Sequence, residues 1–524
     1  MGREESYVRS KFYIYSLSII VFSGLLIRFR NLDGPSLWLD ELTILSWTKT
    51  ETWEATMGPN NAGRVMFGLE GFFYYFWLNI LGDSDFALRS ISAFSGTALL
   101  IIIAEFARKE VGESVAIMSS GMLVASFLAV WYSQEGRIYM ATTCLLWLSL
   151  LMMHNSTKNK AYQRICIISL LTFCYLVHWF SAIIVILGLA SRWAQLLFRT
   201  RENSNFVSTF SIKNIRKSMA PKYGYVPMYV LSMVSLGIFC IPEMLESNSS
   251  SLFSWIPQTP DDPQIVLLDY MFGITSWTAG MPISWLSEAL WWLILSSPFA
   301  LFFHIRFFEN EKLISQQPEW FLWSTGPLVL AIAVFFSEFS TPVFVPRYFL
   351  FSMPSWILLI SISAYRWISI CIELSDTIEK DVMKRIVSVF FTATILLLQS
   401  SWLIVGWDYY DREKKTDYEN MAIELDEMKL GNDVVVVSSP GGYLWDIYLE
   451  RQGSSERIDS SPSDAYPIIN GTNPNSVIYL LGTNTNSVID TDFDSYLDER
   501  YGLREIVTFH MGEIRIYGTP GDSS

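Results

Sequence analysis

Tyr139-Met140-Ala141-Thr142-Thr143-Cys144-Leu145-Leu146-Trp147-Leu148-Ser149-Leu150-Leu151-Met152-Met153 carries no charged side chain and no polar stripe at helical spacing. A helix of a water-soluble bundle needs such a stripe to meet solvent. The stretch belongs to one of eleven apolar runs, near residues 12–27, 87–107, 114–132, 138–153, 165–177, 179–198, 224–242, 285–305, 320–336, 348–367 and 386–406. About 20 apolar residues cross a bilayer core as a helix. The runs therefore predict an all-α polytopic membrane domain of about eleven transmembrane helices over residues 1–407.

Outward from these runs the composition changes. The chain has 524 residues, is 51% hydrophobic and 15% aromatic, and has a mean hydropathy of +0.30. Its net charge is −14, which excludes a basic nucleic-acid binder. After Trp407 there are 22 acids and 9 bases, so almost all of the excess lies in residues 408–524. That tail reads as a small α/β domain. Helices are expected at Tyr418–Lys429 and Asp492–Tyr501, and strands at Val434–Val437 and Ser476–Leu481. Alternating segments at Glu505–His510 and Glu513–Tyr517 flank Met511-Gly512 as a hairpin would.

Topology follows from the bases. Lys11, Arg108, Lys109, Lys158, Lys160, Arg201, Lys213, Arg306, Lys312, Lys380 and Lys384 fall on one side when the helices are counted. Lys and Arg mark cytoplasmic loops. The expectation is a multi-pass plasma-membrane protein with a cytoplasmic N-terminus, a retained first helix and an extracytoplasmic acidic tail. Two outer loops, 28–86 and 243–284, are too long to be mere connectors. The first, rich in Trp and Tyr, predicts surface helices; the second, with Trp255, Pro257, Pro260, Pro263 and Trp277, predicts an irregular aromatic loop. The cysteines Cys144, Cys166, Cys174, Cys240 and Cys371 all lie in apolar spans, so no disulfide framework supports the exposed parts.

Polar groups that could carry chemistry collect on the outer side. Asp40 and Glu41 follow Trp38 close to the first span, where a partly desolvated carboxylate can act as a general base. The pair could equally serve the dipole of a helix N-terminus. Tyr132, Gln134, Glu135, Arg137 and Tyr139 stand between the third and fourth runs. Ionisable groups at that depth face a cavity or a partner, and Glu135 and Arg137 could simply pair with each other. Arg347 and Tyr348 open the tenth run, where an Arg can fork onto a phosphate or anchor the interface. Arg89 lies beside Asp83 and Asp85, and His178 follows the fifth run.

Ser36-Leu37-Trp38-Leu39-Asp40-Glu41, Gly82-Asp83-Ser84-Asp85-Phe86-Ala87-Leu88-Arg89, Trp131-Tyr132-Ser133-Gln134-Glu135-Gly136-Arg137-Ile138-Tyr139, Val177-His178-Trp179-Phe180 and Pro346-Arg347-Tyr348 occur in that order. Together they resemble the motifs of the polytopic C-type glycosyltransferases related to protein O-mannosyltransferases and the lipid A aminoarabinose transferase. Many members of that family carry His-Pro-Pro ahead of a Leu-Tyr-Tyr segment. Here Leu69-Glu70-Gly71-Phe72-Phe73 precedes Tyr74-Tyr75, with Glu70 as a partial substitute.

The resemblance implies a C-type glycosyltransferase fold. It implies transfer of a sugar from a polyprenyl-phosphate donor to a protein, glycan or lipid acceptor on the outer face, with inversion. Asp40 would be the base, and Glu41 would orient Asp40 or the acceptor. Arg347, Arg137 and Arg89 would hold the donor phosphate. Trp38, Glu70, Tyr132, Gln134, Glu135, Tyr139, His178 and Tyr348 would line the cavity. No cofactor is called for, and a divalent metal stays open. The alternatives are a flippase for lipid-linked sugars and an oligosaccharyltransferase-like enzyme. The topology is checked by a cysteine placed in the tail, such as Ser523→Cys. A membrane-impermeant maleimide should label it in intact cells, and labelling only after lysis would reverse the orientation.

Overall fold

The computed structural model describes residues 10–48, 69–155, 161–199, 259–272, 284–308, 318–339, 342–375, 380–401, 403, 417–428, 434–437, 448–449, 451, 462–472, 474, 476–482, 491–509 and 512–518. Its contacts divide the chain into two compact units. One comprises Met1–Arg30, Ala62–Leu69 and Ser90–Tyr409, and the other Asn31–Asn61, Glu70–Arg89 and Tyr410–Ser524. The sequence suggested one cut near Trp407. The structure instead assigns Asn31–Asn61 and Glu70–Arg89, much of the first long loop, to the same unit as the tail.

The first unit is helical. In chain order the helices are α1 Lys11–Phe29, α2 Leu39–Thr48, α3 Leu69–Leu81, α4 Asp85–Glu110, α5 Glu113–Val124, α6 Phe127–Ser133, α7 Tyr139–Asn155, α8 Ala161–Val177 and α9 Trp179–Arg199. They continue as α10 Pro263–Phe272, α11 Ser284–Leu295, α12 Ser297–Phe308, α13 Glu319–Thr325, α14 Pro327–Phe339, a 3-10 turn at Pro346–Phe351, α15 Met353–Glu373 and α16 Lys380–Ser401. Of these, α2 and α3 belong to the second unit but for Leu69, and α4 begins there.

Four of the described segments are long and apolar enough to cross a membrane: Lys11–Phe29, Asp85–Glu110, Glu319–Phe339 and Met353–Glu373. The number rises to six if each of two bent pairs is one span. The chain is a multi-pass membrane protein. The eleven expected spans are met in part, because the rest fall on shorter or more charged helices and on 224–242, outside the described residues. The second long loop also differs from expectation. Pro263 opens a regular helix, α10, at the position where a missing N–H costs nothing. Trp255, Pro257 and Trp277 lie outside the described residues.

The run at 114–132 is broken. Helices α5 and α6 meet at 61°. A break in an apolar helix exposes carbonyls that lipid cannot satisfy. Arg28, fully buried within α1, satisfies them here: Nη1 donates to Val124 O at 3.0 Å and Nη2 to Leu123 O at 3.2 Å. Its Nε donates to Ser133 Oγ at 3.1 Å, so one guanidinium joins both arms of the bend. Gly96 leaves room for this contact, since a Cβ there would stand 2.9 Å from Arg28 Nε and press on Ser133.

The second unit contains α17 Tyr418–Met428, β1 Val434–Val437, α18 Pro462–Thr472, β2 Ser476–Gly482, α19 Thr491–Tyr501, β3 Leu503–Phe509 and β4 Gly512–Gly518. The sheet order is β1-β2-β4-β3, with β1 and β2 parallel and the other pairs antiparallel. Every Val of β1 is buried, as a strand covered on both faces requires. Val434, Val436, Val477, Tyr479 and Tyr517 pack with Ala465 and Ile469 of α18 and with Phe493 and Leu497 of α19. Met421 of α17 lies against Gly512, where a Cβ would meet its sulfur at 2.6 Å. Helix α18 had no counterpart in the sequence reading.

Replacing Arg28 by Ala should leave the Leu123 and Val124 carbonyls unsatisfied and cost about 3 kcal/mol. A marked fall in the thermal midpoint in detergent checks it, and an unchanged midpoint would remove Arg28 from the account of the bend.

Candidate active site

In the second unit the geometry begins with Arg89, in the first turns of α4 and 1% exposed. A guanidinium has five N–H donors, and here each has an acceptor. Nε and Nη2 fork onto Glu41, to Oε1 and Oε2, both at 2.8 Å. Nη1 donates to Leu32 O at 3.0 Å and Pro35 O at 2.9 Å, and Nη2 also donates to Ser36 O at 3.2 Å. This overturns one sequence expectation: Arg89 does not hold a phosphate, because its donors are spent on the loop. The Glu41 carboxylate is the counter-ion of Arg89.

Glu41 has a second task. It is the third residue of α2, and its Oε2 accepts from the backbone N–H of Trp38 at 3.4 Å, one half of a capping box. Helix α2 is thus started by its own third residue and anchored by an Arg 48 positions away. Asp40, second in the helix, is half-buried beside this anchor. Trp38 precedes the helix and is half-buried. Glu70 is buried at the start of α3.

In the first unit the segment between α6 and α7 is divided by task. Gln134 was expected in a substrate cavity. Its amide instead donates to the carbonyls of Ile27, Arg28 and Arg30, at 3.2, 3.2 and 2.8 Å, and closes the end of α1. Glu135 is buried and accepts from Trp131 Nε1 at 3.1 Å. Arg137 is held by its backbone, whose carbonyl accepts from Ser92 Oγ at 2.9 Å. Its guanidinium lies 5.3 Å over the Tyr139 ring, a cation–π contact.

His178 sits in the link between α8 and α9, and its Nδ1 accepts from the Phe180 N–H at 3.2 Å. Around it stand Tyr139 at 5.6 Å, Tyr348 at 4.8 Å and Phe351 at 5.3 Å between ring centres. Arg347 lies 5.5 Å over Tyr348, and Tyr132 meets Tyr139 edge-on at 5.9 Å. Burial, then the positive charges of Arg347 and Arg137, hold the His178 pKa far below its ordinary value. The imidazole is neutral at physiological pH. With Nδ1 accepting, the proton of a neutral ring is on Nε2. Two guanidiniums, an imidazole N–H and aromatic faces are thereby gathered in one place, a donor set suited to an anion beside an apolar or sugar group. Among the described residues no group of three or more His, Cys, Asp or Glu is gathered as a metal ion would need.

No family model and no curated protein matches the chain. Solved structures do. ArnT from Cupriavidus metallidurans in the apo state aligns over 97% of this chain and 98% of its own, at 10% identity and a TM-score of 0.52. The same protein bound to undecaprenyl phosphate aligns over 96% and 98%, at 11% identity and a TM-score of 0.51. The likeness at nearly full length shows the fold: the chain is folded as a C-type membrane glycosyltransferase is, as the sequence resemblance implied.

Arg89→Lys should be as damaging as Arg89→Ala, because an ammonium cannot supply five forked donors. Each should cost about 3–5 kcal/mol, the usual effect of breaking a buried ion pair. Pairing each variant with Glu41→Gln in a thermal-melt cycle should give a strongly non-additive sum, and additive effects would argue against the coupling.

Proposed function

We propose that this protein transfers a sugar from a polyprenyl-phosphate donor to an acceptor hydroxyl at the outer face of the membrane. The observation that carries the reading is the His178 cluster. Arg137 and Arg347 bring two permanent positive charges beside the buried His178 imidazole, among the rings of Tyr139 and Tyr348. Such a group complements a phosphate that gains charge as a bond to it breaks. The fold likeness to a protein whose structure contains undecaprenyl phosphate supports the same substrate class.

In this reaction Asp40 accepts the proton of the acceptor hydroxyl. The hydroxyl oxygen attacks the anomeric carbon, and the bond from that carbon to the phosphate oxygen breaks. Its electron pair leaves with the polyprenyl phosphate, whose charge Arg347 and Arg137 stabilise. Attack opposite the leaving group inverts the anomeric centre. Tyr132, Tyr139 and Tyr348 offer aromatic surface to the sugar or to the first units of the lipid. Glu41 and Arg89 act indirectly, by fixing the turn that presents Asp40. The N-terminus is then cytoplasmic and the tail, residues 408–524, is an extracytoplasmic domain, consistent with the bases of the short loops.

Mass spectrometry of surface glycans from a strain lacking the gene should reveal one missing sugar, which the wild-type gene restores. Asp40→Asn should fail to restore it while reaching normal levels in the membrane. Arg347→Ala should weaken binding of undecaprenyl phosphate by the purified protein at least tenfold. An Asp40→Asn protein with full transfer would remove the base assignment. Unaltered undecaprenyl phosphate binding by Arg347→Ala would remove the phosphate site.

A further inference from the structure

Tyr448 lies outside every motif discussed above, yet its hydroxyl is buried against the loop that carries Asp40. It accepts from the Leu37 N–H at 2.6 Å, lies 3.0 Å from Ser36 Oγ and is 3.3 Å from Leu37 O, to which it can donate. The phenol is 2% exposed. Ser36 Oγ also accepts from the Glu419 N–H of α17 at 3.3 Å. Three residues beyond Tyr448, Arg451 reaches the segment before α4. Its Nη1 pairs with Asp85 at 2.6 Å and its Nη2 donates to Asp83 O at 2.8 Å. Arg451 also lies 5.9 Å over the Tyr448 ring.

These contacts complete a frame around Leu32–Glu41. Arg89 holds the carbonyls of Leu32, Pro35 and Ser36. Tyr448 meets the hydroxyl of Ser36 and the amide N–H and carbonyl of Leu37. The next residue, Trp38, is where α2 is capped, and Asp40 lies in its first turn. A backbone fixed at Ser36 and Leu37 leaves few dihedrals through which Asp40 can wander. A catalytic group displaced by about 1 Å can lose about a hundredfold in rate.

We infer that Tyr448 is a positioning residue for the transfer reaction: its hydroxyl fixes the Ser36-Leu37 backbone and thereby the carboxylate of Asp40. The inference rests on the reading of Asp40 as the base. It also gives the tail a task, since a tail residue then governs the rate without touching substrate. Burial pushes the phenol pKa up, so the hydroxyl keeps its proton and both hydrogen-bonding roles at physiological pH.

The test uses the full chain. Tyr448→Phe keeps the ring and removes only the hydroxyl. It should slow restoration of the missing surface sugar at least tenfold in the deletion strain. Binding of undecaprenyl phosphate by the purified variant should stay within twofold of wild type. Amide exchange should accelerate in residues 36–42 and stay unchanged in β2 and β4. Tyr448→p-aminophenylalanine, whose amine can donate and accept at the same place, should recover most of the rate. Ser36→Ala should give a smaller loss in the same direction. A Tyr448→Phe protein that restores the sugar at the wild-type rate overturns the proposal. So does one in which undecaprenyl phosphate binding and transfer fall together without rescue, which would make Tyr448 merely structural. If Asp40→Asn is itself competent in transfer, the base assignment falls first, a result distinct from a dead Asp40→Asn beside a fully active Tyr448→Phe.

Discussion

The fork between Arg89 and Glu41 is the interaction on which the first loop depends. A buried ion pair gains little by itself, because desolvation offsets most of the attraction. What makes this one effective is complete occupancy. The three N–H groups not committed to Glu41 collect the carbonyls of Leu32, Pro35 and Ser36, which have no strand or helix to join. The cation thus organises a non-helical segment that would otherwise bury unpaired acceptors. Glu41 transmits the same order to α2 by capping Trp38. Asp40 is bracketed on both sides by held residues while its own side chain is half-buried.

Much of this architecture could be read in advance, and the part that could not has a physical explanation. Apolar runs report helices because burial in lipid leaves a composition signature within each segment. The tail strands Val434–Val437 and Ser476–Leu481 and the hairpin around Gly512 were visible for the same local reason. Helix α18 was not, since Pro467 and Gly471 weaken its helical signal and its partners lie in β1.

The site shows the same division. The order of motifs identified the segments, and Arg137, His178 and Arg347 do come together. The tasks of Arg89 and Gln134 were assigned otherwise by sequence, because each is fixed by partners 48 or more positions away or by a backbone group. One clue was present. An arginine inside or bordering an apolar run needs a partner, and both Arg28 and Arg89 meet that description. Nothing comparable marked Tyr448, since a tyrosine in an acidic α/β segment is ordinary.

The hydrogen bond from Leu37 to Tyr448 joins residues 411 positions apart. Closing so long a loop is slow relative to local helix formation. The ribosome makes Ser36 and Leu37 early and Tyr448 late, so the loop must wait through insertion of the intervening helices before its frame is complete. A chain stalled or clipped before Tyr448 would possess every residue assigned to the chemistry and still lack the strut that sets Asp40. On the proposed reading, full competence is therefore acquired only at the close of biogenesis.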